Sequence, residues 1–576
     1  MVAQAPMFAL QAATPLRQLR RVSISDASSI GVERLGQGLV LRAHVFGGMP
    51  RDRRSSSPGV AVLTASSVFM LAGRWQESVG RGRRRTARCS RGGAAAAGEE
   101  KSAVVIGAGP AGLAAALMLA KDDWNVVVVE RTSDPASYDP SRGFMYLIDG
   151  RGQRCLSELN PNLLGGLQAA SVSMMETKIG ILTPKGLQAT VNPMKDKTRN
   201  SYWLPRHILV SLLLEEVRSN SRIKLIAGAK LTSIHQGSHG GVDVQGSSEG
   251  ESWAVRGSLL IGADGMRSQV RTQMEEWDGN RGRFVPEQFD SPSAGLRYKV
   301  LTLPSTFKLE VDGGMQDLAS DCMYSVRGAA STGSKLKFGL IPVRADFGSR
   351  TANLITKPED TLWEVSDVAG LRAYARQQWP HFPIEELVPE SELVRFAQDR
   401  GGYFPKPQLS PGAAWAGEPK DGVSPAVAIV GDALHCFPPD IGQGVNSALE
   451  DVMVLRDALR AHAHGGAAGA AVQAYEAARM PDAAALVEMV CFSAPFQYSQ
   501  SPWRSRFWTV SFLGRFLLNK ALPSIFDLPT FLLVQRSELP YREVLRRGRR
   551  GAQRATAALL ALGLAAGTVV LRAWWL

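Results

Sequence analysis

Three short stretches, far apart in the chain, each bring glycine and an acidic residue to the end of an apolar run. Gly107-Ala108-Gly109-Pro110-Ala111-Gly112 follows Val104-Val105-Ile106 and leads into an alanine- and leucine-rich segment up to Ala120. Gly262-Ala263-Asp264-Gly265 follows Ser258-Leu259-Leu260-Ile261, and Gly431-Asp432-Ala433 follows the run from Ala426 to Val430. The first stretch has the spacing that cradles a dinucleotide pyrophosphate. Gly107 permits the tight turn, Gly109 lets backbone approach the phosphates, and Gly112 lets a helix pack on its strand. The helix, opening at Ala111, then offers free N–H groups and a partial positive charge. Glu130, followed by Arg131, ends a second β-branched run from Asn125 to Val129. That is about the ~20 residues further on at which an acid accepts ribose hydroxyls. Asp264 and Asp432 point at whatever lies over the carboxyl edge of the same sheet. After Asp432 come Pro439, Gly442-Gln443-Gly444 and Asn446, a loop feeding a helix from about Val445 to Leu459. A helix N-terminus there stabilises negative charge on a ring lying over it.

The elements that must position these groups follow from periodicity. Strand, glycine turn and helix are in register around residues 102–121, with the next strand at 125–129. Arg206 opens a helix in which Leu209, Leu213 and Leu214 share one face. From about Ala294 to Arg344 several short alternating runs, separated by turn residues, predict an antiparallel sheet inserted into the first domain. Residues 362–378 read as one helix. The fold class expected is α/β, a Rossmann-like parallel sheet with an inserted antiparallel-sheet substrate domain and a helical C-terminal region ending in a membrane anchor.

The 576 residues carry a formal charge of +13. Fifteen arginines, no lysine and four acids fall in residues 1–98, so 11 of those 13 charges lie there and the rest of the chain is nearly neutral. That distribution argues against a nucleic-acid partner and for an organelle transit peptide, with the chloroplast preferred to the mitochondrion. The five cysteines show no C-x-x-C spacing, and the close histidine pairs sit in or beside glycine-containing loops, so no metal site is expected. At the C-terminus, residues 555–571 are uncharged and follow a cluster of arginines, which predicts a single membrane span close to the minimum length.

The three motifs, in this order, resemble the single-component FAD aromatic hydroxylases, the class A flavoprotein monooxygenases. Within that family the likeness extends to the kynurenine-hydroxylating branch over roughly residues 101–576. It includes Asp149-Gly150-Arg151-Gly152, Arg479-Met480-Pro481-Asp482, Leu522-Pro523-Ser524-Ile525-Phe526 and Tyr541-Arg542-Glu543-Val544. The resemblance implies FAD as cofactor, with NAD(P)H as a transient co-substrate and O2 as oxidant, acting through a flavin C4a-hydroperoxide on a small aromatic or lipophilic substrate. It implies cofactor contacts from Gly107, Gly109, Ala111, Gly112, Glu130, Arg131, Arg206, Asp264, Gly265, Gly431 and Asp432. Pro439, Gly442, Gln443, Gly444 and Asn446 would form the flavin-ring loop. Where that branch holds an amino-acid carboxylate, this chain has Thr177 or Lys178, Val191, Ser493, and Thr530 or Phe531. Of these, Lys178, Ser493 and Phe531 are the substrate-site candidates. The alternative is a plastid flavoprotein of the same fold acting on an isoprenoid or quinone, as an epoxidase or prenyl reductase.

The domain plan expected is a transit segment at 1–98 and a first part of the FAD-binding domain at 101–290, with substrate-sheet pieces near 172–200. The substrate domain follows at 291–400, the second part of the FAD domain at 401–465, a helical cap at 466–545 and the anchor at 555–571.

Overall fold

The computed structural model describes residues 101–576 except 141, 142, 144, 191–198, 312, 313, 330–335, 464–466, 499 and 576. The arginine-rich segment 1–98, with its expected targeting role, and Val191 lie outside the described residues.

In chain order the elements that matter for the site are β1 (Ser102–Ile106), α1 (Pro110–Lys121), β2 (Asn125–Val129), α2 (Gly150–Leu159), α3 (Arg206–Ser219), β3 (Ile223–Ile226), β4 (Leu259–Gly262), β5 (Ala414–Ala416), β6 (Ala426–Ile429), α4 (Gly444–His462), α5 (Gly469–Phe492), α6 (Pro502–Ala521) and α7 (Tyr541–Trp575). The six strands make one sheet in the order β5-β6-β4-β1-β2-β3. All neighbours are parallel except β5, which runs antiparallel at the edge beside β6. Val104, Val105, Leu260, Ile261, Val427 and Ile429 are fully buried, as β-branched and aliphatic runs must be when helices cover both faces of a parallel sheet. Proline at the first position of α1 suits a helix start, because its missing N–H would have had no partner.

Register does the positioning. Ile106 is level with Val129 on one side and Gly262 on the other, and Gly262 is level with Ile429. Four strands therefore stop on one line, and Gly107, Glu130, Ala263 and Val430 leave the sheet side by side. Three segments separated by more than a hundred residues meet at one rim for that reason.

A second, seven-stranded sheet stands over that rim and collects Lys178–Thr183, Gly186–Thr190, Arg297–Pro304, Cys322–Val326, Lys337–Leu340, Ser349–Thr356 and Gly402–Tyr403. It is antiparallel except where Cys322–Val326 runs parallel to Lys178–Thr183. Its separate core is mainly aliphatic with an aromatic cluster within it: Phe338 meets Trp379 and Phe382 edge-on, with ring centroids 4.8 and 5.1 Å apart. The single helix expected at 362–378 is in fact a 3-10 turn, Thr361–Glu364, and a helix, Val368–Gln378. Asp367 separates them by accepting the Gly370 N–H at 2.7 Å as an N-cap.

The C-terminal region is helical, and it requires a correction. The expected span at 555–571 is the outer half of the 35-residue helix α7, continuous with a first half that carries six arginines from Arg542 to Arg554. Arg542 and Arg549 pair with Asp482 and Glu488 of α5, so that half is docked on protein. Among the described residues no helix is long and apolar enough to cross a membrane. Helix α6 buries none of its residues and presents Trp503, Phe507, Val510 and Leu517 outward at helical spacing, while Phe512 packs inward toward Phe531.

Candidate active site

A cavity of about 1120 Å3 runs along the strand-end rim and under the second sheet. That exceeds the ~300–1,000 Å3 of most small-molecule sites and suits a long ligand. At one end lie Gly107, Gly109, Ala111, Glu130 and Arg131; in the middle are Asp264, Gly265, Gly431, Asp432 and Arg206; at the other end are Pro439, Gly442 and Gly444. Most of the residues that sequence alone singled out for a cofactor thus line one continuous space. Gly112 does not line it, but a Cβ there would sit 1.9 Å from the Gly107 carbonyl oxygen, so its place is beneath the turn.

The first turn is tight and its outer surface is bare. Gly107 has φ of +104°, and a Cβ on it would lie 2.4 Å from the Ala263 carbonyl oxygen. A Cβ on Gly109 would meet no atom within 4 Å and would project into open space at the start of α1. This is a cradle that a side chain would fill and a diphosphate fits. Glu130 closes the turn by accepting the Ala108 and Thr132 N–H groups, one on each oxygen at 2.8 Å. Glu130 itself lines the cavity.

Asp264 caps the helix Gln269–Trp277 through one oxygen, which accepts the Gln269 N–H at 2.7 Å. Its other oxygen, Oδ1, is buried without a hydrogen-bond partner, and burial raises the carboxyl above the ordinary range. A buried acceptor left over beside a cavity calls for a donor from a ligand. Arg271 then ties the second and third motifs together, donating to Met266 O at 2.8 Å and to Ala433 O at 2.6 Å.

At the third motif Gly431 takes φ of +61° and donates its N–H to Asp451 at 2.7 Å. The turn aims Asp432 into the cavity, where enclosure by the walls raises its carboxyl, opposed by His435 and reinforced by Asp451. Behind the turn, buried Asp451 accepts from His435 Nε2 at 2.9 Å and from Arg479 Nε at 2.5 Å. Burial pushes Asp451 upward, but His435 and Arg479 outweigh it and hold the carboxyl low. Ser447 also meets His435 at Nε2, while Nδ1 has no hydrogen-bond partner. All contacts therefore fall on one ring nitrogen, which gives a structural clamp and not a nucleophile relay.

The flavin-ring loop divides into two parts. Pro439, Gly442 and Gly444 line the cavity, and Gly442, at φ of +65°, and Gly444 have open space where a Cβ would stand. Gln443 and Asn446, expected beside them, turn the other way and are buried. Asn446 donates to Leu147 O at 2.8 Å and accepts the Asp149 N–H at 3.0 Å. Gln443 donates to Asp149 at 3.1 Å and accepts from the Tyr541 hydroxyl at 2.8 Å.

The substrate candidates do not converge on the cavity. Lys178 is exposed at the first position of its strand, ahead of the buried run Gly180, Ile181 and Leu182. Ser493 caps the end of α5, and Phe531 packs in the C-terminal core; neither lines the cavity, nor do Thr177 and Thr530. Sequence reading passed over the groups that do line the ring end: Tyr298, Tyr403, Phe404 and Phe437, with Tyr146 facing Arg206 across the middle. Burial pushes the Tyr146 phenol up to about 12. Isolated aromatics in short strands carry no spacing signal, so only the folded sheet could have shown them. Among the described residues no group of three His, Cys, Asp or Glu could hold a metal ion.

The geometry agrees with the comparisons. Residues 100–284 and 424–490 match the family model described as "FAD binding domain". The chain is 29% identical over 482 residues to the kynurenine 3-monooxygenase of Salinispora arenicola, covering 81% of this chain and 96% of the relative. It is 28% identical over 479 residues to that of Salinispora tropica, covering 82% and 96%. Among solved structures, Pseudomonas aeruginosa PqsL in complex with 2-aminobenzoylacetate is 19% identical, with a TM-score of 0.47 over 71% of this chain and 99% of that one. Bare phosphate turn, orphaned carboxylate and glycine ring loop all fit one extended flavin dinucleotide. With the matched FAD-binding domain and the similarity to these relatives, they support an FAD-dependent monooxygenase of the aromatic-hydroxylase type.

Proposed function

We propose that the protein hydroxylates a small aromatic substrate of the kynurenine type, consuming NAD(P)H and O2. The observation that carries this reading is the cavity itself, whose phosphate cradle and glycine ring loop are joined by one strand-end rim and whose far end is walled by Tyr298, Phe404 and Phe437. The names of the relatives supply the substrate class. Bound FAD would carry electrons from the nicotinamide to O2 and deliver one oxygen atom to the ring. The chain supplies the rest. Gly107, Gly109 and the start of α1 hold the pyrophosphate, Glu130 the adenosine ribose, and Asp432 with Arg206 the ribityl end. The N–H groups at the start of α4, where Gly444 and Val445 line the cavity, would face a bound ring and favour negative charge on it. The aromatic walls orient the substrate and exclude water, which would otherwise divert oxygen to hydrogen peroxide.

Among the described residues the ring end is lined by Tyr298, Tyr403, Phe404 and Phe437, with Arg297 lying 5.0 Å over the Tyr403 ring but not lining the cavity, and Lys178 is exposed. Recognition there rests on ring stacking and shape more than on a bidentate carboxylate contact, whose absence forfeits ~1.5–3 kcal/mol. The test is NAD(P)H oxidation and O2 uptake by the purified holoprotein with L-kynurenine and with aryl ketones lacking the amino-acid group. A substrate-dependent product heavier by one oxygen atom supports the reading. NAD(P)H oxidation yielding only peroxide with every aromatic tried refutes it. We also propose that residues 1–98 direct the chain to a plastid, which a fluorescent fusion of that segment tests; a cytosolic signal would refute it.

A further inference from the structure

The ring loop has a back wall, and that wall is the C-terminal region. Asp440, Ile441 and Gln443, which do not line the cavity, are each tied to that wall. The Asp440 carbonyl accepts the Gln497 amide at 2.8 Å. Ile441 packs in a core with Leu486, Met489, Val534 and Tyr541. Gln443, 1% exposed, accepts from Tyr541 Oη at 2.8 Å. Tyr541, fully buried, opens helix α7 and is held independently of that bond. The Arg151 guanidinium lies 4.3 Å over its ring and donates to Val534 O, Arg536 O and Leu539 O.

From this geometry we propose that Tyr541 is a positioning residue for the flavin ring: through Gln443 it fixes the Gly442–Gly444 backbone, so that the docking of helix α7 sets the geometry of the ring loop. The inference rests on the flavin reading above and names a residue outside every cofactor motif. Its physical basis is the loop's own lack of stiffness. Gly442 and Gly444 have no side chains to pack, and the open space around them is the ligand's. A loop of that kind keeps one conformation only if its flanking side chains are anchored, and Gln443 is held at two points, its amide N–H on Asp149 at 3.1 Å and its carbonyl by the Tyr541 phenol at 2.8 Å, of which the phenol is the one that belongs to helix α7. Removing the hydroxyl leaves the ring under Arg151, so the helix stays docked while the loop gains freedom.

The test is Tyr541→Phe in the full chain. The expected result is an FAD dissociation constant raised about fivefold, a changed visible circular dichroism of the bound flavin, and a larger fraction of NAD(P)H electrons lost as peroxide. Thermal unfolding of the apoprotein should move little. Amide hydrogen exchange should quicken in residues 440–447 and not in β1, β4 or β6. In a Gln443→Ala background, Tyr541→Phe should add nothing further. Unchanged FAD affinity, flavin dichroism and loop exchange in Tyr541→Phe overturn the proposal, as does strict additivity of the two substitutions. If Tyr541→Phe does not fold, the exchange of residues 440–447 in Gln443→Ala serves instead, and wild-type rates there overturn it. Wild-type protein that takes up no FAD would sink the flavin reading itself, which is a different failure.

Discussion

Gly109 and Gly112 lie three residues apart in one motif, and the structure predicts opposite consequences for adding a methyl group to each. On Gly112 the new Cβ would stand 1.9 Å from Gly107 O, 3.0 Å from Gly107 C and 3.2 Å from Ala263 Cβ. Two of these are backbone atoms of the turn and cannot rotate away. Helix α1 must therefore retreat from β1, and overpacking of this kind costs ~1–3 kcal/mol before any ligand is considered. On Gly109, with φ −75° and ψ 178°, alanine is conformationally acceptable and its Cβ meets nothing within 4 Å. The loss to the apoprotein should stay within ~1 kcal/mol, the scale of a weaker helix N-cap. The methyl group would, however, occupy the space of a phosphate. Gly109→Ala should raise the FAD dissociation constant at least ~tenfold, or ~1.4 kcal/mol, with the apoprotein's unfolding midpoint nearly unchanged. Gly112→Ala should lower both stability and affinity. Thermal unfolding of the apoproteins and FAD titration followed by fluorescence quenching separate the two. Wild-type FAD affinity in Gly109→Ala would refute the assignment of this turn to the pyrophosphate.

Three further expectations follow. Asp451→Ala leaves Arg479 and His435 buried without their shared acceptor, and the loss should reach ~3–5 kcal/mol in denaturant unfolding; a change below ~1 kcal/mol would contradict the clamp. Asp440, which accepts from Ser293 at 2.6 Å, is pushed by burial to about 7. Its protonated form contributes stability that is full below the unfolded value near ~3.9 and is lost as pH rises through 7, a swing on the order of 4 kcal/mol. Asp440→Asn should therefore come nearest to wild type at the lowest pH, near the unfolded value, and exceed it in unfolding midpoint by a margin that grows from pH 5 to pH 7 and levels off above it, and a pH-independent difference would refute this. Trp503→Ser and Phe507→Ser, at side chains 78% and 79% exposed, should each leave stability within ~0.5 kcal/mol; a larger fall would show that α6 packs more closely than described.

The phosphate turn was legible because its signal is local. Three glycines, a β-branched run and an alanine-rich helix constrain one another within about twenty residues, and Asp264 and Asp432 announce themselves as acids beside glycine at strand ends. Which way Gln443 and Asn446 point was not legible. Both occupy the ring loop, but their partners, Asp149, Leu147 and Tyr541, are about a hundred to three hundred residues away in sequence. The exposure of Lys178 was not legible either, since it follows from standing at the very start of its strand, and strand boundaries leave little mark in the sequence. The C-terminal run at 555–571 looked like an independent span because composition says nothing of its continuity with the docked, arginine-bearing half of α7.

The level ending of Ile106, Gly262 and Ile429 sets which changes of length the chain can absorb. The stretches between the strands, some longer than a hundred residues, can be lengthened or trimmed at their exposed turns without moving either aspartate. Deleting a single residue inside β4 or β6 would draw Asp264 or Asp432 back by one pleat and turn its carboxylate toward the opposite helix layer. Scanning deletions should therefore be lethal to flavin uptake in four-residue windows and silent over much of what separates them.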